Sequence, residues 1–381
     1  MTTIYLDNAA TSFPKPESVY QAMDRFARQS LANPGRAGHK MALASERLLD
    51  DARHRLNQFF NGKGPERVIF TLNCTDALNL AIKGVLSPGD HVITSDLEHN
   101  SVSRPLRAME LAGVITVTRI AADATGTLDP QAVRAALTPQ TRLVVLTHAS
   151  NVLGTVQPIA EIGQIVGQTE ALFLVDAAQT AGVLPIDVQA QHIDLLALPG
   201  HKSLLGPTGT GVLYVGPRAK VRPWREGGTG GDSASETMPR ELPYYLEGGT
   251  PNVLGIAGLI AGLEYVQARG LAAIHAHEVE LVERLWQRLD ELGSFEVAGH
   301  RDHSRRVGTI SFRCDVLPAA ELGGILDSAF DVAIRPGLHC APYIHRALHS
   351  FPDGLVRVSP GIFNTPEHID QLADALRQIV Q

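Results

Sequence analysis

Short apolar runs separated by helix-like segments fill the middle of the chain. The runs lack regular alternation with polar residues, which is typical of strands buried on both faces of a sheet. Segments with helical periodicity, such as DALNLAIKGVL, lie between them. Because helices between buried strands serve as crossover connections, the pattern predicts an α/β fold with a mostly parallel sheet. The predicted strands are RVIFTL (67–72), DHVITSD (90–96), TRLVVLTHAS (141–150), ALFLVDAAQT (171–180), IDLLALPG (193–200) and TGVLYVG (210–216).

The pattern changes after about residue 255. The segment LIAGLEYVQARGLAAIHAHEVELVERLWQRLDELG predicts one long helix. RRVGTISFRC, VAIRPG and LVRVSP predict strands of a second, smaller sheet. TPEHIDQLADALRQIV predicts a final helix with Thr365 as its N-cap and Glu367 in its first turn. A chain of 381 residues is too long for one ordinary core, so we expect two lobes.

Composition and charge narrow the class of protein. Hydrophobic residues make up 44% of the chain and charged residues 19%, as in folded soluble proteins. The formal net charge of −7 and the lack of a long basic run argue against a nucleic-acid partner. The N-terminal stretch MTTIYLDNAATSFPKPE does not resemble a signal peptide, and we expect no membrane span. Three widely separated cysteines predict a cytoplasmic protein without a disulfide framework.

Polar residues directly follow several of the predicted strands. In mostly parallel sheets, ligands bind at the carboxyl ends of the strands, so we expect these residues to line a site. Lys202 is either a surface charge, as most lysines are, or the attachment point of a chemical group. The polar residues at strand ends are Cys74, Thr75, Glu98, His99, Asn151, Asp176, His201 and Lys202.

A lysine that binds pyridoxal phosphate covalently needs three further groups around the cofactor. These are a carboxylate for the pyridine nitrogen, a phosphate site and a group over the ring face. Asp176 is suited to the ring nitrogen and Gln179 to the phenolic oxygen, although a lone aspartate equally caps a helix. In TLNCTDALN, the amides of Cys74 and Thr75 and the Thr75 hydroxyl either bind phosphate at a helix N-terminus or form an ordinary N-cap.

Two further strand-end residues complete the candidate cofactor site. His99 in LEHNS is suited to stack on the ring, and otherwise is a loop histidine with ordinary partners. Asn151 in THASNVLGT is suited to contact the ring oxygen or the substrate, and otherwise only turns the chain. Each candidate is weak alone, and their joint occurrence at strand ends favours the cofactor site.

Seven motifs occur together and in order: YLDNAAT, LEHNS, THASNVLGT, DAAQT, GHKSLLGPTGTGVLY, EGGTPN and RPGLHCAP. With them the chain resembles the class V aminotransferase family of fold-type I pyridoxal-phosphate enzymes, over nearly its whole length. Within that family it is most similar to the group II (Suf-type) cysteine desulfurases, which are close to selenocysteine lyases. The resemblance implies a large domain with a seven-stranded, mostly parallel sheet and a smaller α/β C-terminal domain. It implies an N-terminal arm over 1–15 that packs on the small domain, a large domain over 16–255 and a small domain over 256–381.

The resemblance also assigns the cofactor residues. It makes Lys202 the lysine that carries the cofactor, Asp176 the partner of the pyridine nitrogen and Gln179 the partner of the phenolate. His99 is similar to the stacking histidine. Thr75 and His201 match phosphate ligands, and the Gly/Pro turn after Lys202 returns the chain into the next strand. Thr250 in EGGTPN matches a threonine that reaches the phosphate of the neighbouring subunit, which implies a homodimer with shared sites.

Two arginines match residues that bind the substrate in the family. Arg357 in LVRVSP matches the arginine that binds the substrate carboxylate, and a bidentate guanidinium suits that role. Arg335, five residues before Cys340, matches a second active-site arginine. Either of them otherwise forms a surface ion pair.

Cys340 decides which reaction the family resemblance implies. A desulfurase needs a thiolate that attacks the substrate sulfur, and RPGLHCAP places Cys340 in a short loop beside His339 and near Arg335. We therefore expect conversion of L-cysteine to L-alanine, a persulfide on Cys340, and transfer of sulfur to a thiol or an acceptor protein. The alternatives are a buried structural cysteine in a related selenocysteine, cysteine or cystine lyase or a class V aminotransferase, and a non-catalytic sulfur-carrier scaffold.

The chain departs from the family pattern at three places. Pro199 stands where a serine or threonine often contacts phosphate, and Leu338 stands where a histidine is common. The glycine-rich loop REGGTGGDSASETMPRE (225–241) is longer than group II enzymes lead us to expect, and is predicted to be mobile. A metal site is a further alternative for one histidine-rich segment, but a bound metal would block the thiol. That segment contains His339, Cys340, His345 and His349.

Overall fold

The structure is a computed structural model that describes residues 3–35, 38–230 and 234–381. The first two residues of the predicted N-terminal arm, and residues 231–233 of the glycine-rich loop, lie outside the described residues. The described part contains a seven-stranded, a four-stranded and a two-stranded sheet, and we call the surroundings of the first the large lobe and those of the second the small lobe. No helix within the described ranges combines the length and the apolar character that crossing a membrane requires.

Strands and helices alternate through most of the chain. The strands are β1 (Ile4–Tyr5), β2 (Val68–Thr71), β3 (His91–Ser95), β4 (Thr116–Ile120), β5 (Thr141–Thr147), β6 (Leu172–Asp176), β7 (Leu195–Pro199), β8 (Gly211–Val215), β9 (Phe295–Ala298), β10 (Ile310–Cys314), β11 (Val332–Ala333), β12 (Arg335–Gly337) and β13 (Leu355–Val358). The helices are α1 (Glu17–Gln29), α2 (Lys40–Phe59), α3 (Cys74–Val85), α4 (Asn100–Leu111), α5 (Pro130–Ala136), α6 (Ile159–Val166), α7 (Val253–Arg269), α8 (Leu271–Leu292), α9 (Ala319–Phe330), α10 (Pro342–Ala347) and α11 (Pro366–Val380).

The large lobe contains a seven-stranded sheet in the order β2-β8-β7-β6-β5-β3-β4. Neighbouring strands from β7 to β4 are parallel, and β8 is antiparallel to both β7 and β2. This confirms the predicted α/β class and the seven-stranded, mostly parallel sheet. The inner strands are buried on both faces, as their unbroken apolar runs predict, and helices cover them through crossover connections.

The polar residues at the strand ends lie together along the carboxyl-terminal edge of this sheet. Thr147 at the end of β5 pairs with Asp176 at the end of β6, and Asp176 pairs with Ala197 of β7. Gly211, which begins β8, lies between the last residue of β7 and the last residue of β2. A Cβ atom on Gly211 would lie 2.5 Å from the carbonyl carbon of Asn73, so only glycine lets the start of α3 approach this edge.

The small lobe contains the antiparallel sheet β12-β13-β10-β9, packed against α8, α9 and α11. The predicted final helix is present, and Thr365 is its N-cap residue. The prediction of one long helix was wrong, because Gly270, with φ of 83°, separates α7 from α8. The segment VAIRPG forms two strands, since β11 pairs with β1 and only β12 joins the small sheet.

Two contacts bear on how the lobes are divided. β1 pairs in parallel with β11, and Ile4 and Leu6 belong to the apolar core of the small lobe. α7 packs against α1 and α2, and its apolar residues belong to the core beside the large sheet. We therefore propose a division near Gly270, between α7 and α8, in place of the expected boundary after residue 255.

Candidate active site

The segment that carries Lys202 follows β7 and is held by the N-terminal arm. Ser12 Oγ donates a hydrogen bond to the Lys202 carbonyl at 2.9 Å. Lys15 Nζ donates to the His201 carbonyl at 2.7 Å, and His201 Nδ1 lies 3.0 Å from Thr11 Oγ1. The backbone around Lys202 is thus fixed by side chains that are almost 190 residues away in sequence.

Lys202 and Asp176 form the charged centre of the site. Burial lowers the pKa of Lys202 to about 8, although the Asp176 carboxylate favours its charged form. Asp176 is buried, and burial raises its pKa against the opposing effect of the Ala178 N–H, which donates to Oδ1 at 2.9 Å. The other oxygen, Oδ2, accepts no hydrogen bond from any residue that the structure describes.

The N-terminus of α3 lies next to this pair. Asn73 is its N-cap, and its side chain accepts from the Asp76 N–H. Within the described chain, the N–H groups of Cys74 and Thr75 donate to no acceptor, as is usual for the first turn of a helix. Cys74 Sγ lies 3.5 Å from Asp176 Oδ1, and burial together with that carboxylate raises the pKa of the Cys74 thiol well above its usual value.

His99 is the N-cap of α4, and its ring is neutral. Burial lowers the pKa of His99 to about 4, and the positive charges of Lys202 and Arg335 lower it further. Nδ1 accepts from the Ser101 N–H at 3.1 Å, so the ring proton lies on Nε2. Ser101 Oγ also lies 2.9 Å from Nδ1 and 2.7 Å from Thr75 Oγ1, and it thereby joins His99 to the start of α3.

Two arginines stand side by side on the small sheet, where Arg335 of β12 pairs directly with Arg357 of β13. Arg357 is 1% exposed, and its Nη2 donates to Asp7 Oδ1 at 2.6 Å and its Nη1 to the Asn151 carbonyl at 3.1 Å. Its Nε is buried and has no hydrogen-bond partner among the described residues. Like charges directly opposite each other on a sheet are unfavourable, so this pair favours an anion in the site.

Cys340 lies in a tight turn, here called the Cys340 turn, that spans residues 338–341. His339 and Cys340 have φ of 50° and 58°, in the left-handed region that L-residues rarely adopt. The Asn100 N–H donates to the Cys340 carbonyl at 2.6 Å, and Asn151 Nδ2 donates to the His339 carbonyl at 2.8 Å. Arg335 Nη2 lies 3.8 Å from Cys340 Sγ. The turn is therefore attached to Asn100, which follows His99, and to Asn151, which follows β5.

The remaining predicted residues take different positions. Gln179 is buried, and its Nε2 donates to the Ala9 carbonyl at 3.2 Å. Asn151 uses its amide N–H on the Cys340 turn, while its Oδ1 accepts nothing from the described residues. Thr250 is exposed and borders a cleft of about 850 Å³ between α2 and the segment 243–251. Its predicted role would involve a second chain.

This set of side chains and backbone N–H groups fits pyridoxal phosphate. Lys202 offers an amine for the aldehyde, and Asp176 offers the free Oδ2 for a protonated ring nitrogen. The free N–H groups at the start of the twelve-residue helix α3 match a phosphate. The Nε2 of His99 has no partner among the described residues and remains available to the site.

The sequence did not identify the residues that hydrogen-bond to the site residues and hold them in place. Asp7 lies in YLDNAAT, a motif that pointed to the family without giving this residue a role, and Lys15 follows the motif. Ser101 follows His99 by two residues, and only its serine hydroxyl distinguished it. The histidines of the alternative metal site do not come together: His339 and His345 face each other, whereas His349 is exposed. In the part of the chain that the structure describes, no three potential metal ligands converge.

Comparisons with known proteins agree with this geometry. The family model for class-V aminotransferases matches residues 4–372. A probable cysteine desulfurase of Methanothermobacter thermautotrophicus is 36% identical, over 99% of this chain and 94% of that protein. A cysteine desulfurase of Escherichia coli O157:H7 is 34% identical, over 98% and 93%. The apo structure of a cysteine desulfurase from Thermococcus onnurineus NA1 has a TM-score of 0.93 at 32% identity, over 99% and 94%.

Proposed function

Because the chain belongs to the class-V aminotransferase family, we propose that it is a pyridoxal-phosphate-dependent cysteine desulfurase that converts L-cysteine to L-alanine. One observation carries the choice among family reactions. Cys340 Sγ lies 3.8 Å from the Arg335 guanidinium, in a turn bonded to Asn100 beside His99. Sulfur transfer needs a thiol beside the groups that bind the substrate, and transamination does not.

The proposed cofactor site uses residues from several strand ends. Lys202 would hold the cofactor covalently, Asp176 would pair with its ring nitrogen and Gln179 would contact its phenolic oxygen. Cys74 and Thr75 of α3, together with His201 and with Thr250 of a second subunit, would bind the phosphate, and His99 would stack on the ring. When bound, pyridoxal phosphate supplies an electron sink for the carbanion that forms on the substrate.

The substrate carboxylate is held by the two arginines. Arg357 is already fixed by Asp7 and by the Asn151 carbonyl, so its guanidinium is pre-organised. Arg335 on the neighbouring strand adds a second positive charge, and the free Asn151 Oδ1 accepts from the substrate. L-cysteine thereby presents its sulfur to the Cys340 turn.

Proton transfer and sulfur transfer then fall to three side chains. Lys202 has a pKa near 8, so its amine is suited to accept and return the proton of the substrate α-carbon. The Nε2–H of His99 assists as a hydrogen-bond donor, because the ring is neutral and its Nδ1 already accepts from the Ser101 N–H. The Cys340 thiolate attacks the substrate sulfur, so an S–S bond forms as the C–S bond breaks. The C–S electron pair goes to carbon, which takes up a proton, and the products are alanine and a Cys340 persulfide.

The rest of the proposal concerns partners and location. The persulfide passes its outer sulfur to a thiol or to an acceptor protein, and the active form is a homodimer that shares its sites through Thr250. The three cysteines are free thiols, which fits a reducing cytoplasm.

The first experiment incubates the purified holoenzyme with L-cysteine and a reductant, and quantifies alanine, sulfide and pyruvate. The wild type is expected to give alanine and sulfide in equal amounts. Cys340→Ala is expected to lose alanine formation. Cys314→Ala, which removes a thiol from the core of the small lobe, serves as the matched control and keeps it.

The other outcomes identify the alternatives. Pyruvate in place of alanine, or full activity in Cys340→Ala, would make the enzyme a different lyase with a structural Cys340. Consumption of a keto acid would indicate an aminotransferase. A protein that binds no pyridoxal phosphate and turns over nothing would be a scaffold.

A further inference from the structure

A chain of hydrogen bonds lies directly behind the Cys340 turn. His339 and His345 are 3% and 0% exposed. His339 Nε2 lies 2.9 Å from the Arg335 carbonyl, and His339 Nδ1 lies 3.4 Å from His345 Nε2. His345 Nδ1 lies 2.8 Å from Ser350 Oγ. The chain connects the strand that carries Arg335 with the end of α10, through the residue next to Cys340.

The Arg335 carbonyl, at one end of the hydrogen-bond chain, fixes the direction of the bonds between the rings. A carbonyl oxygen only accepts, so the proton on His339 lies on Nε2 and its Nδ1 is an acceptor. His345 therefore donates from Nε2, and its own Nδ1 accepts from the Ser350 hydroxyl, which also lies 3.3 Å from the His345 carbonyl. Both rings are neutral, since burial lowers the pKa of His339 to about 3 and that of His345 to about 4.

The direction of the bonds also excludes a proton relay. A proton that moved along the chain would end on the Arg335 carbonyl, which is not a base at accessible pH. The chain therefore has a structural consequence for the turn and none for proton delivery. It opposes the relaxation of two left-handed residues, His339 and Cys340, toward the extended conformations that they would otherwise favour.

We propose that His339, His345 and Ser350 are positioning residues that hold the Cys340 thiol in the place needed for sulfur transfer. The role rests on the proposed function, because it acts on the thiol that we assign to the substrate sulfur. The proposal also assigns a role to two histidines of the segment that was considered as a metal site. None of the three side chains contacts the substrate in this proposal.

The test compares four holoenzyme variants. His345→Phe fills the same space without a donor, and His345→Gln restores an N–H that donates to His339 Nδ1. Ser350→Ala removes only the hydroxyl at the far end. His349→Asn is the matched control, because His349 is exposed, its ring makes no hydrogen bond within the described residues, and asparagine tolerates its φ of 53°.

The readouts are kcat and KM for alanine formation, and hydrogen–deuterium exchange of the peptide that contains residues 335–341. We expect His345→Phe to lower kcat at least about tenfold with KM changed by less than about threefold, because a displaced nucleophile slows chemistry more than binding. Exchange in the peptide should accelerate by a similar factor. His345→Gln should regain most of both, Ser350→Ala should lose about threefold in kcat, and His349→Asn should match the wild type.

The outcomes separate this role from simple packing. If His345→Phe and His345→Gln are equally impaired, the ring only fills space and the positioning role is wrong. If His345→Phe does not fold, Ser350→Ala with wild-type kcat and exchange would overturn the proposal. If the wild type forms no alanine, the proposed function fails, while faster exchange in His345→Phe and Ser350→Ala alone would still support the fixing of the turn.

Discussion

Asp7 Oδ1 accepts a hydrogen bond of 2.6 Å from Arg357 Nη2, across 350 residues of sequence. The arginine is 1% exposed and the aspartate 20%, so this is a buried ion pair. Burial lowers the pKa of Arg357, and the Asp7 carboxylate opposes that effect. The N-terminal arm thus supplies the charge that makes a buried arginine tolerable in the substrate site.

The ion pair predicts strong coupling between the two residues. Asp7→Asn is expected to lower the free energy of unfolding by roughly 2–4 kcal/mol, because it leaves a buried guanidinium without its carboxylate. Adding Arg357→Gln should cost less than the sum of the single changes, with a coupling of about 1–3 kcal/mol. Urea unfolding of the four proteins measures this. The exposed pair Arg377–Asp374 is the control, and strict additivity at Asp7 and Arg357 would contradict the prediction.

The lowered pKa of Lys202 predicts how the apoprotein captures pyridoxal phosphate. An amine attacks an aldehyde only when it is uncharged, so the rate of covalent capture should rise with pH and be half-maximal near 8. An ordinary lysine, with a pKa of 10.5, would place that midpoint far higher. Growth of the visible absorbance band after mixing, followed as a function of pH, gives the midpoint. Lys202→Ala should show no band and Lys220→Ala, an exposed lysine, an unchanged one.

Burial explains which parts of the fold could be predicted from the sequence. The inner strands β5, β6 and β7 each contain an unbroken apolar run because both faces of the sheet are covered there, and the sequence predicts them to within a few residues. The edge strand β4, TVTRI, is half exposed and has no such run, and it was missed. Helical periodicity continues on both sides of Gly270, so only that glycine marked the break between α7 and α8.

The residues of the site also differ in how far the sequence could predict them. Residues at or shortly after strand ends, such as Asp176 and Lys202, could be predicted because the sheet topology brings strand ends together. The supporting contacts of Asp7 and Lys15 arise from tertiary packing between distant segments, which no local pattern encodes. For the Cys340 turn, the sequence predicted a short loop but could not give the pairing of His339 with His345.

Glu278 predicts a pH-dependent stability of the fold. It is buried in α8 without a hydrogen bond to any described residue, and burial raises its pKa from 4.5 to about 8. Between these values the folded protein keeps a proton that the unfolded chain has lost, so the free energy of unfolding falls as pH rises. In the wild type the fall is up to about 1.4 kcal/mol per pH unit, and Glu278→Gln should remove it.

The measurement for Glu278 is urea unfolding at several pH values across this window. The variant should match the wild type near the lower limit and exceed it in stability near the upper one. Glu280→Gln, an exposed neighbour on the same helix, should follow the wild type throughout. Parallel curves for Glu278→Gln and the wild type would show that the carboxyl is ionised in the folded state.

Two half-buried thiols lie in the site, and their surroundings predict which one accepts sulfur. Cys74 lies 3.5 Å from Asp176 Oδ1, and burial and that carboxylate raise its pKa, so it stays a neutral thiol. Cys340 instead lies 3.8 Å from the Arg335 guanidinium. Near neutral pH, iodoacetamide should therefore label Cys340 before Cys74, as peptide mapping by mass spectrometry would show.

Serine substitutions extend the same comparison to turnover. Cys74→Ser keeps a hydroxyl that donates to Asp176, so kcat for alanine formation should fall by less than about threefold. Cys340→Ser cannot form a persulfide and should form no alanine. If instead Cys74→Ser abolished turnover and Cys340→Ser kept it, the sulfur would pass to the thiol at the start of α3. The positive charge beside Cys340 would then serve substrate binding alone.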